Sequence, residues 1–157
     1  MDNARLLTLI LQALEANRDV IAQQLAASHE AATHSESKAE NKYDTRGLEA
    51  AYLADGQRRG LHEIELALAA YRVLTPVAMS DGIRVGALIE LSAATASRWL
   101  FLGPDAAGLK VRLDEQEVLV ISPRAPLGQA LLGREEGDEV AVTVEGKMHR
   151  QEILAVY

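Results

Sequence analysis

The apolar positions of the chain follow two different periods. From about residue 4 to residue 34 they recur at steps of three and four, as they do along one face of an α-helix. Residues 50–71 repeat this spacing, and Pro76 with the Thr75 before it ends the segment. From Ile83 onward the period is two, which is typical of half-buried β-strands. The pattern therefore predicts two long helices followed by a small sheet.

The stretch between the two helical segments, residues 35–46, is almost wholly polar. A polar bend between two amphipathic helices is the tip of a helical hairpin, and Glu36, Glu40 and Asp44 make this tip acidic. Because a helix rises 1.5 Å per residue, an arm of about 30 residues reaches about 45 Å. We expect a slender arm, because the positions where the two helices face each other carry small residues towards the tip. These residues allow the two helix backbones to approach closely, and they are Ser28, Ala32, Ala50 and Ala54.

The C-terminal half predicts short strands, tight turns and one helix. The helix is expected from Ala125 to Leu132, with Pro126 in its first turn and Gly133 after its end. The predicted fold class is α+β. Residues 1–75 form an antiparallel coiled-coil hairpin with its tip at 35–46, and residues 76–157 form an antiparallel β-sheet domain with one short helix. The expected strands are Ile83 to Leu91, Trp99 to Leu102, Leu109 to Leu113, Glu117 to Ile121, Glu139 to Val144 and Met148 to Val156.

Charge and composition narrow the classes of function. The net charge of −7 argues against a general duplex-DNA binder, since too few Lys and Arg are present to neutralise phosphates. The absence of cysteine removes disulfides, thiolate nucleophiles and cysteine zinc sites, and it suits a reducing cytoplasm. The first apolar run, residues 6–11, lies between Asp2 and Glu15 and predicts neither a signal peptide nor a membrane span. We expect a cytoplasmic protein without membrane contact.

Two local patterns have both a structural and a functional interpretation. Ser37 and Glu40 have the spacing of a helix capping box, in which both side chains bind backbone N–H groups. That structural role does not exclude a functional role for Glu40. His29 and His34 resemble part of a zinc-protease motif, but residues five apart lie about 140° apart around a helix. We interpret them as surface histidines.

The run from Ile121 to Asp138 follows the pattern of a known family without a gap. It resembles the bacterial Gre-type transcription elongation and transcript cleavage factors, the GreA/GreB family. Strands at Val85 to Ala87 and Trp99 to Gly103, and the closing run Gln151 to Tyr157, are similar to further parts of the family pattern. The resemblance covers most of residues 83–157, whereas the N-terminal hairpin matches in architecture more than in sequence.

The resemblance implies a fold and a function. Gre-type C-terminal domains are FKBP-like and dock on the rim of the secondary channel of RNA polymerase, which here implies Arg124, Ala125, Pro126 and Leu127 as partner-binding residues. The arm then enters the channel, and acidic tip residues help to hold Mg²⁺ and water at the polymerase active site. The polymerase's own centre hydrolyses the backtracked RNA 3′ end. Such a factor is not an enzyme by itself, binds no cofactor alone, and reaches the nucleoid through the polymerase.

The tip departs from the family motif. Glu40 and Asn41 match its closing Glu-Asn pair, but Ser37 stands where the family has Asp. Glu36 is the nearest replacement, since it lies four residues before Glu40 and would share a helix face with it. The resemblance therefore implies Glu36, Glu40 and Asn41 as the residues that assist cleavage. Of these, Glu36 and Glu40 are the expected Mg²⁺ ligands, because carboxylate oxygens suit this ion.

Three hypotheses remain open from the sequence. In the first, the tip acids support cleavage of backtracked RNA. In the second, the tip occupies the channel without cleavage and inhibits or retunes the polymerase. In the third, the chain is an FKBP-like protein-interaction module whose hairpin only mediates self-association. The expected partner-binding residues also depart from the family pattern, because Arg124 and Ala125 stand where the family has Asn or Asp followed by Ser.

Overall fold

The computed structural model describes residues 2–37 and 46–157 of the chain. Two long helices come first, α1 (Asn3–Ser37) and α2 (Arg46–Arg72). Both predicted helical segments are confirmed, and each helix extends a few residues beyond its predicted limits. Within these described ranges, no helix combines the length and the hydrophobicity that crossing a bilayer requires.

Six strands in the described part of the chain form one sheet, with the order β3-β4-β2-β1-β6-β5. A short helix, α3 (Pro126–Leu131), lies between β4 and β5 in the chain. The α+β class and the single short helix are confirmed. The strands are β1 (Leu88–Leu91), β2 (Arg98–Leu102), β3 (Lys110–Leu113), β4 (Gln116–Ile121), β5 (Glu139–Val144) and β6 (Lys147–Val156).

The sheet is mixed, whereas the sequence predicted a wholly antiparallel one. β2 and β4 run parallel, with Trp99 opposite Val118, while the other described pairs are antiparallel. β3 follows β2 in the chain but lies at the edge of the sheet, two positions away from β2. β4 then fills the position between them. Since β3 runs opposite to β2, and β4 runs opposite to β3, β4 is parallel to β2. Turn residues alone do not reveal such a skipped position.

The stretch from Ile83 to Ala87 was predicted as the first part of β1, and it is not a strand. A turn there contains Gly86 at φ 100°, a left-handed conformation that favours glycine. Ile83 instead bonds to the residues that follow α3 in the chain. Its N–H donates to the carbonyl of Arg134, and its carbonyl accepts from the N–H of Gly133, both at 2.8 Å. Ile83 and Ala87 are buried in the core, which explains why the apolar alternation extends upstream of the strand.

Apolar residues cover both faces of the sheet. On one face, Phe101 lies 6.3 Å from Tyr71 of α2 between ring centroids, and Trp99 lies 6.1 Å from Tyr157. Burial on both faces stabilises the sheet and fixes the strand ends from which its loops begin. On the other face, α3 contributes to a core cluster, which comprises Ile83, Ala87, Ile89, Leu91, Leu100, Leu102, Leu131, Val140 and Ile153.

The chain divides into two compact units. The arm unit is Ala13–Leu68, and the sheet unit is Met1–Gln12 with Ala69–Tyr157. In the arm unit the two helices approach closely, since a Cβ on Gly60 would lie 3.8 Å from Cδ1 of Ile21. The division of the chain into a hairpin of residues 1–75 and a docking domain of residues 76–157 stays a prediction about function.

Candidate functional site

The predicted partner-binding residues occupy the loop between β4 and the start of α3. β4 is an inner strand of the sheet, and its last residue, Ile121, packs against the core cluster. Pro126 is the first residue of α3, where its fixed φ suits a helix and its missing N–H costs nothing. The loop therefore starts and ends at fixed points.

Ser122 organises the loop by hydrogen bonding. Its Oγ accepts a bond from the N–H of Arg124 at 3.1 Å, and its carbonyl accepts from the N–H of Ala125 at 3.1 Å. These bonds close a turn of four residues. Gln129 adds a bond from Nε2 to the carbonyl of Pro123 at 3.0 Å. The backbone of the loop is thus fixed by its own hydrogen bonds.

Gly128 allows α3 to lie directly against this loop. A Cβ at this position would collide with the carbonyl oxygen of Ser122, and the residue is buried. Any larger residue would therefore separate α3 from the turn. The sequence places a glycine here, but the collision partner is visible only in the structure.

Ala125 is the N-cap of α3, and it provides no side-chain cap. Its dihedral angles, φ −67° and ψ 152°, are those of an N-cap residue, but no side-chain hydrogen bond to the helix exists. The Gre-type pattern has Ser at this position, and a Ser hydroxyl is a strongly preferred N-cap acceptor. The departure at Ala125 therefore removes a helix cap as well as a hydroxyl.

The four predicted docking residues differ in what they present to a partner. Arg124 and Pro126 are exposed, whereas Ala125 and Leu127 are half-buried. Leu127 packs against the core cluster, so its main effect is to anchor α3. Within the described residues, no carboxylate forms an ion pair with Arg124. The exposed surface of the loop is therefore a proline ring beside a cation that has no ion-pair partner in the described part of the chain.

The predicted tip residues are mostly outside the described part of the chain. Glu36 belongs to the last turn of α1, while Glu40 and Asn41 lie in the segment that the structure does not describe. Ser37 is the last described residue of α1, and its predicted partner Glu40 lies outside the described residues, so the capping-box interpretation stays a prediction. Among residues 2–37 and 46–157, no group of three or more His, Asp or Glu side chains is placed to hold a metal ion.

A contact that sequence reasoning missed joins the end of α2 to the loop after β2. The hydroxyl of Tyr71 donates to the carbonyl of Asp105 at 2.9 Å, and a Cβ on Gly103 would collide with the same hydroxyl. Burial, and secondarily the charge of Asp105, raises the pKa of Tyr71 above its ordinary value. Tyr71 was predicted only as the last periodic position of the second helical segment, and no local pattern indicates its hydrogen bond.

Comparison with known proteins identifies the family. Residues 80–157 match the family model described as the C-terminal part of the transcription elongation factors GreA and GreB. The chain is 36% identical over 116 residues to transcription elongation factor GreA of Desulfovibrio desulfuricans, a match that covers 68% of this chain and 67% of that protein. The chain belongs to the GreA/GreB family. The resemblance seen in the sequence is thereby confirmed.

A second curated relative agrees with this assignment. GreA of Nitratidesulfovibrio vulgaris (strain Miyazaki F) is 34% identical over 116 residues, covering 68% of each protein. Among solved structures, GreA factor homolog 1 (Gfh1) of Thermus thermophilus is 17% identical, covers 94% of each chain and gives a TM-score of 0.37. A GreA/GreB factor from Nitrosomonas europaea is 24% identical, covers 73% of this chain and 94% of its own, and also gives 0.37.

The family match includes the loop from Ser122 to Leu127, called the docking loop below after its predicted role, and it excludes the tip at residues 35–46. Arg124, Ala125, Pro126 and Leu127 all lie within the matched range of residues 80–157. The predicted roles of these residues, and of Glu36, Glu40 and Asn41, stay predictions.

Proposed function

We propose that this GreA/GreB family member binds bacterial RNA polymerase through the loop from Ser122 to Leu127. The observation that carries the proposal is this loop, which lies inside the family-matched residues and is held by Ser122 and Gln129. A preorganised loop loses little conformational entropy when it binds. The curated relatives are named transcription elongation factors, which supports the polymerase as the partner and the cytoplasm as the place of action.

The finer part of the proposal concerns the arm. In this part of the proposal, the hairpin of residues 1–75 enters the secondary channel of the polymerase. Glu36 and Glu40 then face the catalytic centre of the polymerase. Both are carboxylates, the ligand type that Mg²⁺ prefers, so the donor chemistry fits this ion. When bound, Mg²⁺ would supply Lewis-acid stabilisation of the phosphoryl displacement that shortens backtracked RNA. The protein's own contribution is to hold the ion and its water, and the polymerase performs the cleavage.

Ser37 favours a second mode of action through the same channel. A Ser hydroxyl is neutral and a much poorer Mg²⁺ ligand than the Asp that the family motif has at this position. If Glu36 does not substitute for that Asp, the tip occupies the channel without stimulating cleavage. The factor then inhibits or retunes transcription, and its effect does not depend on Glu40.

Transcript cleavage on a stalled, backtracked elongation complex tests these two modes. Wild-type protein is compared with Glu36→Ala, Glu40→Ala and the matched control Glu65→Ala, an exposed acid of α2 at a distance in sequence from the tip. If the tip acids hold Mg²⁺, wild type and the control shorten the RNA, and either tip variant loses most of this effect. The variant Ser37→Asp restores the family acid and is expected to cleave faster than wild type.

The outcomes separate the modes clearly. If wild type does not cleave but competes with a cleaving Gre factor for the polymerase, the second mode holds, and Ser37→Asp should then gain cleavage. If no variant either cleaves or competes, the polymerase proposal is wrong. In that case, an interaction module with a self-associating hairpin is the remaining hypothesis.

A further inference from the structure

The two edges of the sheet are built differently. One edge is β3, which has only four residues and presents Lys110 and Arg112, both exposed. Lys110 also forms an ion pair with Glu117 of β4 at 2.8 Å. Short length and exposed cations are devices by which natural sheets prevent another strand from pairing with an edge. The β3 edge is therefore protected.

The other edge, β5, lacks these devices. It has six residues, Glu139–Val144, and Glu139 is its one charged side chain. Arg150 of β6 lies 3.2 Å from the Glu139 carboxylate and offsets its charge. Apolar surface is exposed beside this edge, since Val144 is 52% exposed and Met148 is 64% exposed. An edge of this kind is a template for another strand.

The hydrogen-bond pattern shows which backbone groups of β5 are available. The N–H of Ile153 donates to the carbonyl of Asp138 at 2.9 Å. Because bonding alternates along an antiparallel pair, the even-numbered residues of β5 bond to β6. Glu139, Ala141 and Thr143 therefore direct their N–H and carbonyl groups away from β6. Within the described residues, no other backbone group bonds to them.

We propose that β5 pairs with β5 of a second copy of the chain, in an antiparallel register centred on Ala141. This inference is independent of the polymerase proposal. With Ala141 opposite its own counterpart, Glu139 faces Thr143 of the second copy, and all three outward residues form hydrogen-bonded pairs. The pairing makes about six hydrogen bonds, two for each of three pairs. The two-fold symmetry closes the assembly as a dimer.

The side chains of β5 suit this register. Ala141 is exposed and small, so two copies meet at the symmetry axis without steric conflict. Glu139 meets a Thr hydroxyl and no second carboxylate, so no like charges lie directly opposite. On the other face, the half-buried Val142 pairs with Val140 of the second copy and loses further apolar surface to the interface. The strand is complementary to itself.

Engineered disulfides test the register, because the natural chain contains no cysteine. In Ala141→Cys, the two Cα atoms of the dimer lie about 5.5 Å apart, which is within the range that a disulfide spans. In the matched control Thr143→Cys, the two introduced residues lie about 14 Å apart and cannot join. Under mild oxidation, Ala141→Cys is expected to give a covalent dimer on a denaturing gel, and Thr143→Cys to remain a monomer.

Sedimentation of the full chain supplies the second readout. Wild type is expected to show a concentration-dependent dimer between about 1 µM and about 500 µM. Ala141→Lys places like charges opposite each other and is expected to raise the dimer Kd at least about tenfold. The control Ala93→Lys, in the exposed loop after β1, should leave the Kd unchanged. A monomeric wild type over this range, or equal crosslinking of the two cysteine variants, would overturn the proposal.

Discussion

The sheet unit and the arm unit are stabilised in different ways. The sheet unit buries whole side chains on both faces of β1 and β2, with Phe101 and Leu102 fully covered. In the described residues of the arm unit, the fully buried positions are few and often small, as at Ala54 and Ala67. Large buried side chains fix a structure, whereas small ones in a long seam keep an element thin. The difference teaches that large buried side chains hold the sheet unit together, whereas small buried residues contribute much of the packing in the described part of the arm unit.

The largest expected effect tests the core of the sheet unit. Phe101→Ala removes a fully buried ring that contacts Tyr71, and it should lower the free energy of unfolding by about 3–5 kcal/mol. Ile21→Ala in the arm is the matched comparison, because Ile21 is only half-buried, and it should cost about 1 kcal/mol. Urea unfolding followed by circular dichroism measures both. Equal losses would show that the two units do not differ in this way.

The next effect concerns the contact between α3 and the docking loop. Gly128→Ala places a methyl group against the carbonyl of Ser122, and we expect a loss of about 1–3 kcal/mol. Gly56→Ala in α2 is the control with the opposite sign. A Cβ there meets no atom within 4 Å, so the loss of glycine's extra flexibility should stabilise by about 1 kcal/mol. Thermal unfolding of both variants checks the signs, and two losses of similar size would contradict the account.

A third effect restores the helix cap that this chain lacks. Ala125→Ser supplies a hydroxyl at an N-cap position with suitable dihedral angles, and it should stabilise the sheet unit by about 1 kcal/mol. The same variant restores the residue of the family pattern, so polymerase binding can be measured on it in parallel. A lower unfolding midpoint in Ala125→Ser would show that the loop geometry is not that of a cap.

The last effect depends on pH and concerns Tyr71. Its raised pKa means that the folded protein retains the hydroxyl proton after the unfolded chain has lost it. This contribution to stability is fully present below the ordinary pKa of 10.0 and is lost as the pH rises above that value. Tyr71→Phe should cost about 1 kcal/mol at neutral pH, because the bond to Asp105 is lost. The variant should then lose less stability than wild type between pH 9 and pH 11.

Much of this structure could be predicted from the sequence, and the failures have physical reasons. The helices were predictable because their apolar period extends over many turns. The parallel pairing of β2 with β4 was not, since register and neighbour are set by tertiary packing. Ile83 follows the alternation of a strand because it is buried, although its backbone bonds to Gly133 and Arg134. Burial and strand structure are different properties, and an apolar period of two indicates which residues are buried.

The sequence resemblance predicted which residues form the docking loop, but it did not predict their conformation or burial. The resemblance pointed to residues 124–127, but it could not show that Leu127 packs inward while Arg124 is exposed and has no ion-pair partner among the described residues. It also could not show that Ala125 is the N-cap of α3. These features depend on how α3 lies against the sheet, and no spacing within the loop encodes that contact.

The most direct test of the central claim is the affinity of the full chain for bacterial core RNA polymerase. Wild type is compared with Arg124→Glu, which reverses the exposed charge of the docking loop, and with Arg98→Glu, which makes the same change at an exposed position of β2. We predict that wild type and Arg98→Glu bind alike, and that Arg124→Glu binds at least about tenfold more weakly. Absent binding by wild type, or equal affinities for the two charge reversals, would contradict the proposed docking function.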